Sequence, residues 1–160
     1  MKCLVVFYSR SGATGKVAAR IAQTLGCESE KIFPKRRYAG PFGFLRASFE
    51  ATRKKLPEIS EPKNDIRGYD LVILGTPVWG GTVASPVRSY MVGQGEGFKK
   101  VAFFLTRGGA SETRTFKEME QLCAKAPIAT LALRTGEIKN DKKFKAEALK
   151  KIDAFAEGVK

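Results

Sequence analysis

Ser9, Ser11 and Thr14 stand close together near the start of the chain, with Gly12 among them, in the stretch FYSRSGATGKVAARIA. Hydroxyls and backbone N–H groups at the start of a helix donate hydrogen bonds to phosphate oxygens. A glycine there lets the backbone pass close to the ligand. The Gly15-Lys16 pair invites comparison with nucleotide loops, but the patterns fail. A Walker A loop needs Gly at position 10 and a hydroxyl at position 17, where the chain has Arg10 and Val17. A GxGxxG turn fails for the same missing glycine at position 10. Nothing in the stretch places Mg²⁺ or a transferable phosphoryl group, so it reads as an anchor for a terminal phosphate. The same hydroxyls also serve to cap a helix that holds no ligand.

The composition narrows the chemistry further. There is no histidine, which removes the commonest general base and metal ligand and argues against hydrolytic triads and zinc sites. No catalytic residue and no metal ligand is assigned. The three cysteines, Cys3, Cys27 and Cys123, are odd in number and include no CxxC pair, which argues against a disulfide framework. Cys3 and Cys27 can lie on neighbouring strands as a redox pair; the plainer reading makes them small buried core residues. With 160 residues and 43% hydrophobic content, the chain reads as one domain, 1–160, with a core of its own. No run approaches the roughly 18 apolar residues of a membrane span. The N-terminal run is too short for a signal peptide, so a cytoplasmic location is expected.

The elements that must position the loop follow from periodicity. Residues 2–8 form a continuous Val-rich run, as a buried parallel strand requires. Helical spacing follows over 14–25, ended by Gly26. A weak strand is expected over 27–33. A helix is expected over 41–55, with Phe42, Leu45, Phe49 and Leu56 on one face of a core helix, stopped by Pro57. The clearest strand is 70–76, followed by a short helix over 85–92. A strand over 99–106, a helix over 112–125, a strand over 128–134 and a helix over 141–158 complete the chain. Strand–helix alternation implies an α/β fold, a parallel sheet with helices on both faces. Ligands in such sheets bind beyond the carboxyl ends of the strands, which singles out the loops 9–14, 77–86 and 107–113, with 33–40 beside them.

These loops resemble those of the flavodoxin family. The family's first loop, [ST]-x-[ST]-G-x-[ST], wraps the phosphate of flavin mononucleotide (FMN), and here it matches Ser9, Arg10, Ser11, Gly12, Ala13 and Thr14. The likeness continues in DLVILGTPVWGG, where Thr76, Pro77, Val78, Trp79 and Gly80 match the second flavin loop and Trp79 matches its stacking ring. Gly80 and Gly81 match a peptide that rotates to offer its carbonyl to the flavin. Thr106, Arg107, Gly108 and Gly109 in FFLTRGGASET match the third contact. The resemblance covers nearly the whole chain and implies a single doubly wound five-stranded sheet of order 2-1-3-4-5, of the short-chain type.

The resemblance implies an FMN-binding protein that carries electrons between redox partners. Two alternatives stand beside it: an NAD(P)H-dependent flavin or quinone reductase of the same fold, and a binding module without flavin. The third loop lacks the second aromatic ring common in the family; the second flavin face is then either covered by something else or left open, and an open face would suit the reductase.

The charge departs from the family's usual acidity: 29 Lys and Arg against 16 Asp and Glu give +13. Such a field favours acidic partners or anionic surfaces. Lys35, Arg36 and Arg37 lie beside Tyr38, Phe42 and Phe44 on the expected flavin edge. They are expected to dock an acidic redox partner; a membrane surface or RNA has the same broad chemistry. No RNP, HTH or KH pattern occurs, so no specific nucleic acid is expected. Arg10 either reaches the flavin phosphate or points at a partner. Arg10 and Arg107 would each stabilise the anionic, fully reduced flavin by roughly 1 kcal/mol or more. Reductive titration should therefore give a second reduction potential above that of an acidic flavodoxin; one as low as theirs would refute the charge argument.

Overall fold

The structure, a computed structural model, describes residues 1–109, 111–138 and 144–160. At its centre lie three strands with almost no polar side chains, β1 (Cys3–Phe7), β3 (Leu71–Trp79) and β5 (Val101–Arg107). Successive side chains of a strand point to opposite faces. Leu4, Val6, Val72, Leu74 and Phe103 accordingly join one core, while Val5, Leu71, Ile73, Ala102 and Phe104 join the other. A sheet apolar on both faces must be covered on both. Helices α1 (Ala13–Leu25) and α5 (Ala146–Gly158) cover one side. Helices α2 (Gly40–Thr52), α3 (Ser85–Gln94) and α4 (Glu112–Cys123) cover the other.

The more polar strands β2 (Glu28–Lys31) and β6 (Thr130–Arg134) take the edges. The two-residue strand β4 (Thr82–Val83) pairs antiparallel with β3. The five parallel strands run β2-β1-β3-β5-β6, the expected doubly wound order once β4, which periodicity does not reveal, is counted. The expected terminal helix begins in part outside the described residues, at 141–143; α5 itself starts at Ala146. No helix among the described residues is long and apolar enough to cross a membrane.

Two expectations are corrected. Cys3 and Cys27 are not free core thiols but form a disulfide, with Cα atoms 5.2 Å apart. The parallel register that sets Leu4 against Glu28 brings the preceding residues level. Cys123 is a buried free thiol. The second correction concerns α2. It stops at Thr52, short of 55, because Lys54 turns left-handed. Its large apolar side chains also face outward: Phe42 is 85% exposed, and Leu45 and Phe49 are exposed as well. The inward stripe is Gly43, Ala47 and Ala51. Periodicity finds both stripes, and close approach decides between them. A Cβ on Gly43 would lie 2.5 Å from the carbonyl carbon of Tyr38, so only glycine lets the helix start where it does.

Replacing Gly43→Ala should therefore lower stability by about 1–3 kcal/mol through overpacking. Phe42→Ser should change it by no more than about 0.5 kcal/mol. Urea unfolding of the two variants checks this; the reverse ranking would mean that α2 faces the other way.

Candidate functional site

Three loops leave the carboxyl ends of β1, β3 and β5. These strands are adjacent and parallel, so the loops share one edge of the sheet. From β1 the chain moves outward to β2 and then crosses back to β3, so strand order reverses at this edge. Open parallel sheets hold ligands at such a reversal.

The three hydroxyls of the first loop divide their tasks. Ser9 is buried, and its Oγ accepts the N–H of Gly12 at 3.1 Å. Thr14 is buried too, and its hydroxyl meets that of Thr106 at 2.7 Å, which joins the first loop to the third. Ser11 faces solvent. Gly12 caps α1 with no side chain of its own to bond the first-turn amides, and no acid stands in that turn. Ala13 opens the helix beside it. The first turn therefore presents amides and the positive end of the helix dipole without a competing carboxylate.

Arg10 takes a course that sequence reasoning did not foresee. Its Nε donates to the Tyr38 carbonyl at 2.7 Å and its Nη2 to the Gly40 carbonyl at 3.2 Å. The guanidinium lies 5.4 Å from the ring centre of Phe44. It thus latches the first loop to the start of α2.

In the second loop, Pro77, Val78 and Trp79 continue β3 past its expected end at Thr76. The Thr76 hydroxyl accepts the N–H of Ala84 at 3.1 Å, tying the strand to the start of α3. Trp79 pairs with Thr82 across Gly80 and Gly81, whose φ angles are 56° and 75°. A two-residue hairpin turn with both φ positive is the conformation glycine adopts without steric cost. The Trp79 ring is only 6% exposed. It meets Tyr8 edge-on at 5.3 Å and Tyr38 at 5.2 Å between ring centres. Burial pushes the Tyr8 hydroxyl up to about 12, with Arg10 opposing. Burial and a hydrogen bond to Glu50 raise Tyr38 as well, so both phenols are neutral at neutral pH.

In the third loop Thr106 is buried, Gly108 and Gly109 are exposed, and Arg107 pairs with Glu112 at 3.0 Å.

Sequence reasoning missed the pair that holds the hairpin from below. Arg88 of α3 and Glu118 of α4 form a buried salt bridge at 2.6 Å. Arg88 also donates to the Thr82 hydroxyl at 3.1 Å and to the Ala51 carbonyl at 3.4 Å. Glu118 accepts the Thr82 hydroxyl and the N–H of Val83. One signal was available: Arg88 lies on the face of α3 that carries Val87 and Met91, where a charge demands a partner.

The family model described as Flavodoxin matches residues 2–153 of the chain. No curated protein matches it. A flavoprotein from Lactobacillus acidophilus NCFM, solved in complex with FMN, superposes with a TM-score of 0.73 at 23% identity, covering 82% of this chain and 92% of the other. Two-electron reduced flavodoxin from Megasphaera elsdenii gives a TM-score of 0.62 at 16% identity, with 98% and 97% covered. Oxidised flavodoxin 1 from Bacillus cereus gives 0.58 at 20% identity, with 99% and 97% covered. At these identities the structural likeness is one of fold.

Burial alone would raise the Glu118 carboxyl, but the hydrogen bonds from Thr82 and Arg88 outweigh it and hold the group below its ordinary value. A carboxyl lowered by folding adds stability above its unfolded pKa, about 4.3, and loses it as pH falls through the folded value. Unfolding free energy should therefore drop on acidification below about pH 5. Glu118→Gln should flatten part of that slope, leaving the share of other carboxyls held low, such as Asp70. Glu118→Ala should cost about 3–5 kcal/mol at neutral pH, because it strands the Arg88 charge. Urea unfolding across pH measures both effects.

Proposed function

Since the chain belongs to the flavodoxin family, we propose that it binds FMN at the shared loop edge and carries electrons between redox partners. The observation behind this reading is the meeting of the first and third loops through Thr14 and Thr106 at 2.7 Å, on the edge where strand order reverses. The residues present fit the phosphate arm of the cofactor. Ser11 offers a free-facing hydroxyl, and the first turn of α1 offers amides with no acid among them. Beside the ring system the chain presents the Gly80–Gly81 turn and the exposed Gly108 and Gly109. In this conformation Trp79 is buried against Tyr8 and Tyr38, so backbone of the Gly80–Gly81 turn rather than an open indole face would line the cofactor there.

FMN supplies the one- and two-electron chemistry; the protein's part is to bind, orient and tune. Arg10 keeps a positive charge beside the loops, its hydrogen bonds among the described residues going to carbonyls, whereas Arg107 faces Glu112. The setting proposed is the cytoplasm, where the Cys3–Cys27 disulfide would be an exception to the usual reduced state of thiols. The ring-free, exposed Gly108–Gly109 stretch is the observation that favours the second reading, an NAD(P)H-dependent reductase.

Titrating the protein with FMN, followed by flavin fluorescence, should show saturable one-to-one binding. Ser11→Glu, which adds a negative charge at the phosphate position, should weaken it by about tenfold or more, at an exposed site that leaves folding intact. Reduction of the loaded protein should need an external electron donor. Rapid bleaching by NADPH alone would favour the reductase, and failure to take up FMN would overturn both readings.

A further inference from the structure

Helix α2 is built with its large apolar side chains outward. Phe42, Leu45 and Phe49 follow at helical spacing and are 85%, 64% and 55% exposed. Leu56, just past the helix, extends the stripe. Single exposed apolar residues are ordinary, but a contiguous patch rimmed by charge marks an interaction site. Here the patch is also concave. An open groove of about 850 Å³ lies beside the helix, lined by Leu45, Phe49 and Leu56 together with Lys35, Arg36 and Lys55.

The groove is lined by the cations Lys35, Arg36, Arg46 and Lys55 against two acids, so its balance is basic. Both acids already have partners: Glu50 accepts the Tyr38 hydroxyl at 2.5 Å, and Glu58, itself exposed, pairs with Lys35 at 3.3 Å. Among the described residues, Arg36, Arg37 and Lys55 have no carboxylate partner. Arg53 lies over the Phe49 ring, 4.7 Å from its centre. The inner side of α2 touches the cofactor loops. A Cβ on Gly80 would come 2.9 Å from the Thr52 hydroxyl and 3.3 Å from the Ser48 carbonyl, and Arg10 bonds at the helix's other end.

We propose that this outward face of α2 is the docking site for an acidic partner protein, which lays an amphipathic helix, apolar stripe down and carboxylates at its flanks, into the groove. Charge complementarity selects this occupant. A second copy of the chain would bring the same basic lining and another +13 of charge. A bilayer surface would meet the protruding Phe42 but would leave the groove beside it unfilled. A helical stripe at i, i+3, i+4 and i+7 fits a groove of this kind. The position of α2 against the loops then brings the partner to the cofactor edge. That purpose rests on the electron-carrier reading; the docking does not need the cofactor in order to be measured.

The test uses the full chain loaded with FMN and a fluorescein-labelled amphipathic helical peptide bearing a leucine stripe flanked by glutamates. Anisotropy should show saturable binding at low ionic strength that weakens as salt is added. The double change Leu45→Ser, Phe49→Ser should weaken it by about tenfold or more, since truncated apolar anchors dominate such interfaces. Arg36→Glu with Lys55→Glu should do the same, in each case with FMN retained. The peptide with lysines in place of glutamates should not bind. Equal binding of both peptides, no binding of the acidic one, or indifference to the Leu45 and Phe49 changes would overturn the proposal. So would sedimentation of the chain with phosphatidylglycerol vesicles in place of peptide binding, or a concentration-dependent dimer that the same changes abolish. Peptide binding by a chain that takes up no FMN would uphold this surface and overturn only the electron-carrier reading.

Discussion

A guanidinium and a carboxylate withdrawn from water hold the loop edge of this protein in place. Neither Arg88 nor Glu118 is tolerable alone at its depth, because an unpaired buried charge is among the costliest features a fold can carry. Their surplus hydrogen bonds reach β4 through Thr82 and Val83 and the end of α2 through Ala51. One pair thereby joins α2, α3, α4 and the Gly80–Gly81 hairpin. The glycine turn, free to adopt several conformations on its own, is pinned at its far strand. Within the second loop only the two-residue turn lies outside a strand, with β3 ending at Trp79 before it and β4 starting at Thr82 after it.

The frame of the fold was legible because its physics is local. Strands buried on both faces must be apolar at every position, and residues 2–8, 70–76 and 99–106 announce themselves that way. The helices between them follow from spacing and, at the end of α1, from Gly26. What stayed hidden depends on residues far apart in the chain. Which stripe of α2 faces inward turns on the Tyr38 backbone, against which only Gly43 fits. The pairing of Cys3 with Cys27 turns on the register of two strands.

The site divides in the same manner. Loop positions came from a motif and a resemblance, and the structure brings the first and third loops together at Thr14 and Thr106. The roles of individual side chains were another matter. Arg10 looked like a ligand or partner contact, and its carbonyl acceptors lie 28 and 30 residues on. Arg88 and Glu118 sit 30 residues apart on different helices, and nothing in either segment names the other.

Trp79 is the chain's only tryptophan. It stands where the end of β3, the tyrosines of two other segments and the glycine turn converge. Indole emission shifts with the polarity and packing of its surroundings, and tyrosines in contact can pass excitation to it. The molecule therefore carries a built-in optical reporter at the junction of its loops. A rearrangement of the first loop, of the segment before α2 or of the hairpin alters the surroundings of the same ring, so each can be followed by light without a label.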